Sequence, residues 1–284
     1  MTISMQDLLS AGVHFGHRTQ RWNPKMKPYL YGKRNGIHIF DLEQTAHALN
    51  AALQFLYNQA SVGKTILLVS TKNQTTEILP VEAQKANVPF LANRWPGGFL
   101  TNFPTVKKRI QYLLSLEGDI ESGEMTKKYT KKEALMFKRT IAKLNEVLVG
   151  VKNLKNLPDV LFVADAVRDR LAILEAKKMK IPVVAICDSN SDPDLVDYVI
   201  PANDDALRSL TLIISAASDA IQQGRKAYTP TTAAKDEDKN KKGTRIGKPI
   251  DELEISEETM AEKDEAEKLA KKAPAKVQKA QSKK

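Results

Sequence analysis

The residues Asn93-Arg94-Trp95-Pro96-Gly97-Gly98-Phe99-Leu100-Thr101-Asn102, with the helical run they launch, decide how the chain is organised. Pro96-Gly97-Gly98 continues neither a helix nor a central strand, so the backbone turns there. Beyond the turn the apolar period changes. Phe103, Val106, Ile110, Leu113 and Ile120 follow three-and-four steps, with Glu117 in the apolar slot between the last two. Ala134, Phe137, Ile141, Leu144, Leu148 and Val151 continue the same stepping without a break. Both are seam patterns for paired helices rather than for helices lying on a sheet. Glu121-Ser122-Gly123-Glu124 is a natural reversal, and Thr130-Lys131-Lys132-Glu133 reads as a capping box. The expectation is an antiparallel coiled-coil hairpin over residues 103–153, each arm about 25 Å long.

Outward from the hairpin the pattern is strand and helix in alternation. Asp41 caps a helix with apolar positions Leu42, Ala46, Leu49, Leu53, Leu56 and Ala60, ended by Gly63. Thr65–Ser70 is a continuous apolar run, as in a strand buried on both faces of a parallel sheet. A helix over Asn73–Ala86 and a short strand at Val88–Leu91 lead into the turn. After the hairpin come a strand at Asp159–Asp165, a helix at Val167–Met179, and strands at Ile181–Cys187 and Tyr198–Ile200. A helix over Asp204–Gln223 closes the series, with Gly224 just beyond it. These lengths indicate an α/β fold: a Rossmann-like, doubly wound, mostly parallel sheet into which the hairpin is inserted. Residues 1–102 supply a basic arm and the first part of this layer, and 154–228 the second part.

Of the 284 residues, 44 are Lys or Arg and 34 Asp or Glu, a net charge of +10. After Tyr228 the chain loses nearly all large apolar residues, so 229–284 reads as a disordered charged tail. That tail carries 14 Lys and Arg against 12 Asp and Glu, so the basic excess belongs to residues 1–228. A basic folded surface points to polyanions, nucleic acid before anionic membrane. The single cysteine, Cys187, excludes a disulfide framework and any multi-cysteine zinc site. The start has no basic region followed by an apolar one, and no run reaches the roughly 20 apolar residues of a membrane span. A cytoplasmic protein is expected.

A doubly wound sheet invites a nucleotide-binding or metal-dependent enzyme as the alternative. Gly63-Lys64-Thr65 precedes its strand, whereas a P-loop follows one, and Asn58 stands where the first glycine belongs. The turn Ser70-Thr71-Lys72-Asn73 has no glycine at all, so no dinucleotide cradle exists there. No cofactor, small-molecule substrate or catalytic residue is expected. His14 and His17, with Asp188, Asp192, Asp204 and Asp205 near strand C-terminal ends, leave two readings open. They are either cap and turn residues or oxygen and nitrogen ligands of a cation.

Positive charge rises above this background in two places. The irregular stretch before Phe40 carries Arg18, Arg21, Lys25, Lys27, Lys33 and Arg34 with Trp22, Tyr29 and Tyr31 interleaved, and has no acid between Asp7 and Asp41. Tyr29–Tyr31 and Ile37–Phe40 read as strands around Lys33-Arg34-Asn35-Gly36, with Asn-Gly as the turn signal. On the hairpin stand Arg94, Lys107, Lys108, Arg109, Lys127, Lys128, Lys131 and Lys132. Trp22 and these cations are the candidate RNA-binding residues, suited to phosphates and exposed bases. Trp95 reads instead as packing the hairpin root against the sheet.

Several tracts together resemble the ribosomal protein S-two family. They are Gly12-Val13-His14-Phe15-Gly16-His17-Arg18, Trp22-Asn23-Pro24-Lys25-Met26, the 93–102 segment, Lys131-Lys132-Glu133-Ala134-Leu135, Leu157–Val163, Asp188-Ser189-Asn190-Ser191-Asp192-Pro193 and Ile200–Asp205. They run colinearly from about residue 4 to 228. The resemblance implies a Rossmann-like domain with a protruding coiled-coil hairpin of the bacterial or organellar type. It also implies a structural role: binding small-subunit ribosomal RNA near the junction of head and body, beside other small-subunit proteins, and helping to dock the large protein S-one. The tail lies outside it.

Overall fold

The computed structural model describes residues 3–123 and 129–228. Lys127, Lys128 and the tail from 229 lie outside them. The chain opens with helix α1 (Met5–Ser10), whose Ser4 and Asp7 form a reciprocal cap. Three strands follow: β1 (Phe15–Arg18), β2 (Leu30–Arg34) and β3 (Ile37–Phe40), paired antiparallel in the order β1-β3-β2. Lys33 and Arg34 belong to β2 rather than to its turn. The turn itself is Asn35-Gly36, with φ of 50° and 76°, the left-handed pair that a two-residue hairpin loop needs. β1 was not legible in advance, since Phe15-Gly16-His17-Arg18 shows no alternation of apolar residues.

Helix α2 (Leu42–Ser61) starts at Asp41, whose side chain accepts from the Glu43 N–H. The main sheet comprises β4 (Ile66–Val69), β5 (Phe90–Leu91), β6 (Val160–Val163), β7 (Val183–Cys187) and β8 (Tyr198–Pro201), all parallel, in the order β5-β4-β6-β7-β8. Four-residue strands that are apolar throughout work because both faces are covered. Ile66, Leu68, Val160, Phe162, Val184, Ile186 and Ile200 join the layer of α2, α3 (Ile78–Ala86) and the closing helix α7 (Leu207–Ala227). Their neighbours Leu67, Val69, Leu161, Val163, Val183, Ala185 and Cys187 face a second layer. It contains α4 (Phe103–Glu121), α5 (Lys131–Leu148), α6 (Arg170–Lys178), Trp95 and Phe99. The doubly wound α/β architecture is therefore present.

Three local expectations change. The helix placed at 73–86 is a 3-10 turn at Asn73–Thr75 followed by α3. Gly224 lies inside α7, not beyond it, because a Cβ there would strike the Tyr57 carbonyl and stand 2.8 Å from Ala60 Cβ of α2. Close approach of two helix backbones, not helix termination, accounts for that glycine. Glu117, in the apolar slot of the first seam, does not pack in a seam. Its carboxylate accepts from Asn145 Nδ2 at 2.7 Å and from Lys152 Nζ at 2.7 Å. An in-register reversal near 122–130 would set Glu117 against a residue roughly ten positions earlier in α5. The helices share one apolar cluster through Ile110, Leu113, Ile141 and Leu148, which establishes that they pack but not that they coil.

The turn before α4 is held from across the second layer by Glu175 of α6, only 6% exposed. Its carboxylate accepts from Trp95 Nε1 (3.1 Å) and from the N–H groups of Gly98 (2.8 Å), Leu100 (3.0 Å) and Thr101 (3.2 Å). Burial alone raises a carboxyl pKa, but these four donors outweigh it and hold Glu175 below its usual range. Trp95 is buried against Phe99, ring centres 5.1 Å apart, as the packing reading requires.

Two outcomes follow for stability. Gly224→Ala, which helix propensity alone would favour, lowers unfolding free energy by about 1–3 kcal/mol in urea titration, because α7 must move off α2. Glu175→Gln costs about 2–4 kcal/mol at neutral pH, since its NH2 faces N–H donors. The Glu175 pKa is depressed on folding, so the stabilisation is present above the unfolded value near 4 and is lost as pH falls through the folded one. Titrations of both proteins at about pH 7 and pH 3 should show the gap closing in acid.

Candidate nucleic-acid interface

The basic arm is fastened to the C-terminal edge of the main sheet. Asp188, just after β7, accepts the His17 backbone N–H at 3.1 Å and lies 3.0 Å from His17 Nδ1. Ser189 Oγ accepts the same N–H at 2.9 Å, and its carbonyl accepts from the Asn23 N–H at 2.7 Å. A side chain at Gly16 would come within 3.0 Å of Ser189 Oγ, so the arm approaches the edge as closely as a glycine permits. Asp188 holds the His17 imidazole protonated, pushing its pKa up to about 9 against the effect of burial.

Asp204, Asp205 and Asp165 meet at the same edge, and the cation among them is the chain's own. Lys72 Nζ lies 2.7 Å from Asp205, 3.0 Å from Asp204 and 3.2 Å from Asp165. His17, Asp204 and Asp205 do bring three ligand-type atoms within 4.8 Å of one another, but both carboxylates are engaged by the buried lysine. Burial, with Asp165 and Asp188 alongside, raises the Asp204 carboxyl to about 7, partly offset by Lys72. Asp192 plays a different part: it caps the 3-10 turn at Pro193–Leu195 and binds Lys25. His14 is not in the cluster and packs against Phe15, ring centres 4.0 Å apart and the planes tilted by 40°. Lys72 and Ser189 were not singled out from the sequence. A lysine two residues past an apolar strand, where a ligand crevice is usual, was the available signal.

With the arm seated, the three-stranded sheet arranges its cations. Arg18 of β1 and Arg34 of β2 are both in register with Ile37 of the central β3, which places them on one face about 10 Å apart. Arg18 and Arg21 border a cleft with Gln20 and Ile37. Lys33 pairs with His38, on the opposite face. Trp22 lies over His38, ring centres 5.0 Å apart, and remains 37% exposed. Lys27 is exposed. Lys25 differs from the rest, because its ammonium is 2.7 Å from Asp194 and 2.9 Å from Asp192.

A second group gathers at the root of the helix pair. Arg94, Arg109 and Lys143 line one concavity with Gly97, Gly98 and Thr105. Lys143 is not among the cations that the sequence marks as RNA contacts, yet it shares this concavity. Lys107 and Lys108 are exposed on α4, and Lys131 and Lys132 lie in the first turn of α5, roughly 15–18 Å along that helix from Lys143. Among the described residues, no carboxylate lies within ion-pair distance of Arg18, Arg21, Lys27, Lys33, Arg34, Arg94, Lys107, Lys108, Arg109, Lys131 or Lys132. Lys25, Lys72, Lys85 and Lys152 are by contrast paired. No helix of the described residues is long and apolar enough to cross a membrane.

Residues 8–224 match the family model described as ribosomal protein S2. Curated relatives are named small ribosomal subunit protein uS2. One from Geotalea uraniireducens is 48% identical over 225 residues, covering 79% of this chain and 88% of the relative. One from Solidesulfovibrio magneticus is 42% identical over 260 residues, covering 92% and 99%. A third, from Coprothermobacter proteolyticus, is 50% identical over 228 residues, covering 78% and 83%.

The His17 contact has a signed pH dependence. A folded pKa above the unfolded value near 6.5 means that the stabilisation is complete below about 6.5 and disappears as pH rises through about 9. The stability gap between wild type and His17→Gln is therefore widest near pH 6 and shrinks by more than half by about pH 9.5 in urea titrations. A gap independent of pH would mean that the imidazole gains no proton affinity on folding.

Proposed function

The chain belongs to the ribosomal protein S2 family, and from that premise we propose that it grips small-subunit ribosomal RNA through the arm and the root of the helix pair. Its role is structural, as a constituent of the small ribosomal subunit rather than an enzyme. Arg18, Arg21, Trp22, Lys27, Lys33 and Arg34 would make the first contact surface. Arg94, Lys107, Lys108, Arg109, Lys131 and Lys132 would make the second, with Lys127 and Lys128 assigned to it on sequence grounds. The observation that carries this reading is the sorting of charge: on both surfaces the exposed cations, Lys25 apart, have no carboxylate partner among the described residues. Phosphates supply what those cations lack. Lys25 is a seam residue joining the arm to the 192–194 turn, with a secondary part in RNA contact. Placement near the junction of head and body, and help in docking the large protein S-one, rest on family membership alone.

The same charge sorting argues against a nucleotide-dependent catalyst. The crevice at the C-terminal strand ends, where such a fold takes its ligand, is occupied by Lys72 and closed by the arm.

Association with small subunits should fall with salt, and each lost phosphate contact should flatten the logarithmic slope by about 0.7–0.9. Arg18→Gln with Arg34→Gln is expected to reduce that slope by about 1.5 and to weaken incorporation in sedimentation assays. Neutralising Lys127, Lys128, Lys131 and Lys132 tests the second surface in the same way. An unchanged slope removes the altered group from the interface.

A further inference from the structure

The outer side of α6 is a surface that nothing in the described chain covers. Leu171 and Leu174, three residues apart on one helical face, are 51% and 41% exposed. Val167 just before the helix and Met179 at its cap are exposed as well. Leu171 borders the 95–101 turn: a Cβ on Gly97 would touch its Cδ2 at 3.8 Å.

Five cations flank these apolar groups. Arg168, Arg170, Lys177, Lys178 and Lys180 are all exposed. The acids of the same segment face inward: Glu175 holds the turn, and Asp169 accepts from Thr71 Oγ1 at 2.8 Å. The nearest acids from the neighbouring turn, Asp192 and Asp194, are engaged by Lys25. Because Glu175 locks α6 to the turn, the outer face is presented rigidly, and a partner loses little entropy in ordering it.

We propose that this face docks an acidic amphipathic protein helix, with apolar side chains at three-and-four spacing flanked by Asp and Glu. The cations by themselves would also suit RNA. Exposed aliphatic side chains at helical spacing decide the matter, since phosphates and sugars give them nothing to bury against, whereas a helix face removes them from water.

The test uses the purified full chain and a labelled peptide of about 18 residues, with Leu at three-and-four spacing and Glu on both sides. Two controls are a scrambled peptide of the same composition and one with Lys for Glu. By fluorescence anisotropy the acidic peptide binds and the controls do not. Leu171→Ser with Leu174→Ser weakens it about tenfold or more. Arg170→Ala with Lys178→Ala weakens it more at ~0.05 M salt than at ~0.15 M. Equal binding of the scrambled peptide, or no effect of the leucine substitutions, overturns the proposal. A second arm, which rests on the particle reading above, places a photo-reactive residue at position 174 in intact small subunits. A crosslink to an acid-rich protein segment supports the proposal, and a crosslink to ribosomal RNA overturns it in favour of a third RNA surface. Incorporation of the leucine variant at wild-type level keeps the two readings separable.

Discussion

One buried carboxylate holds together the part of the molecule that sequence marks as its pivot. Glu175 reaches from α6 to four N–H donors of the 95–101 turn, and without it the buried donors of Trp95 and Leu100 would be left unpaired. With it, Pro96-Gly97-Gly98 becomes a rigid corner rather than a loose loop. Arg94 on one side of the corner and Arg109 on the helix that leaves it are then set into a common concavity. The same interaction empties the outer face of α6 of negative charge, because the helix's acidic residues are used inward. A structural contact in the interior thus determines the sign of two surfaces.

The C-terminal edge of the sheet shows a second use of buried charge. In open α/β sheets this edge usually offers a crevice for ligands. Here Lys72 enters it from the β4 side and meets three carboxylates, while Asp188 and Ser189 hold the arm across it. Each buried acid is costly alone, so the network is sustained only because a lysine, an imidazolium and backbone donors satisfy it together. The outcome is a clamp. A fold able to present a nucleotide site instead presents a three-stranded sheet whose register sets Arg18 and Arg34 on one face.

Charge on this protein is therefore divided by what it can find nearby. Lysines near acids are consumed in holding segments together, as Lys25 holds the arm to the 192–194 turn and Lys152 holds Glu117. Cations without such neighbours are left for a polyanion, and a ribosomal constituent has one at hand. Composition, which reports only a net of +10, does not make this distinction.

The layered α/β architecture is legible in the residue pattern alone, because apolar strands alternating with amphipathic helices have few other ways to bury both faces. The same pattern also marks the Asp41 and Thr130 caps and the Asn35-Gly36 turn, each set by a few neighbouring residues. Family membership was legible too, through short tracts whose order is preserved along the chain. It took the folded chain to establish that Gly224 marks a helix contact, that Glu117 pairs with Lys152, and that β1 exists at all. The fold alone separated Lys25 and Lys72 from the unpaired cations. What separates the two is distance along the chain: caps and turns involve groups within four residues, but the partners of Glu175, Lys72, His17 and Gly224 lie about 75 to 170 positions away, where no local pattern reports them.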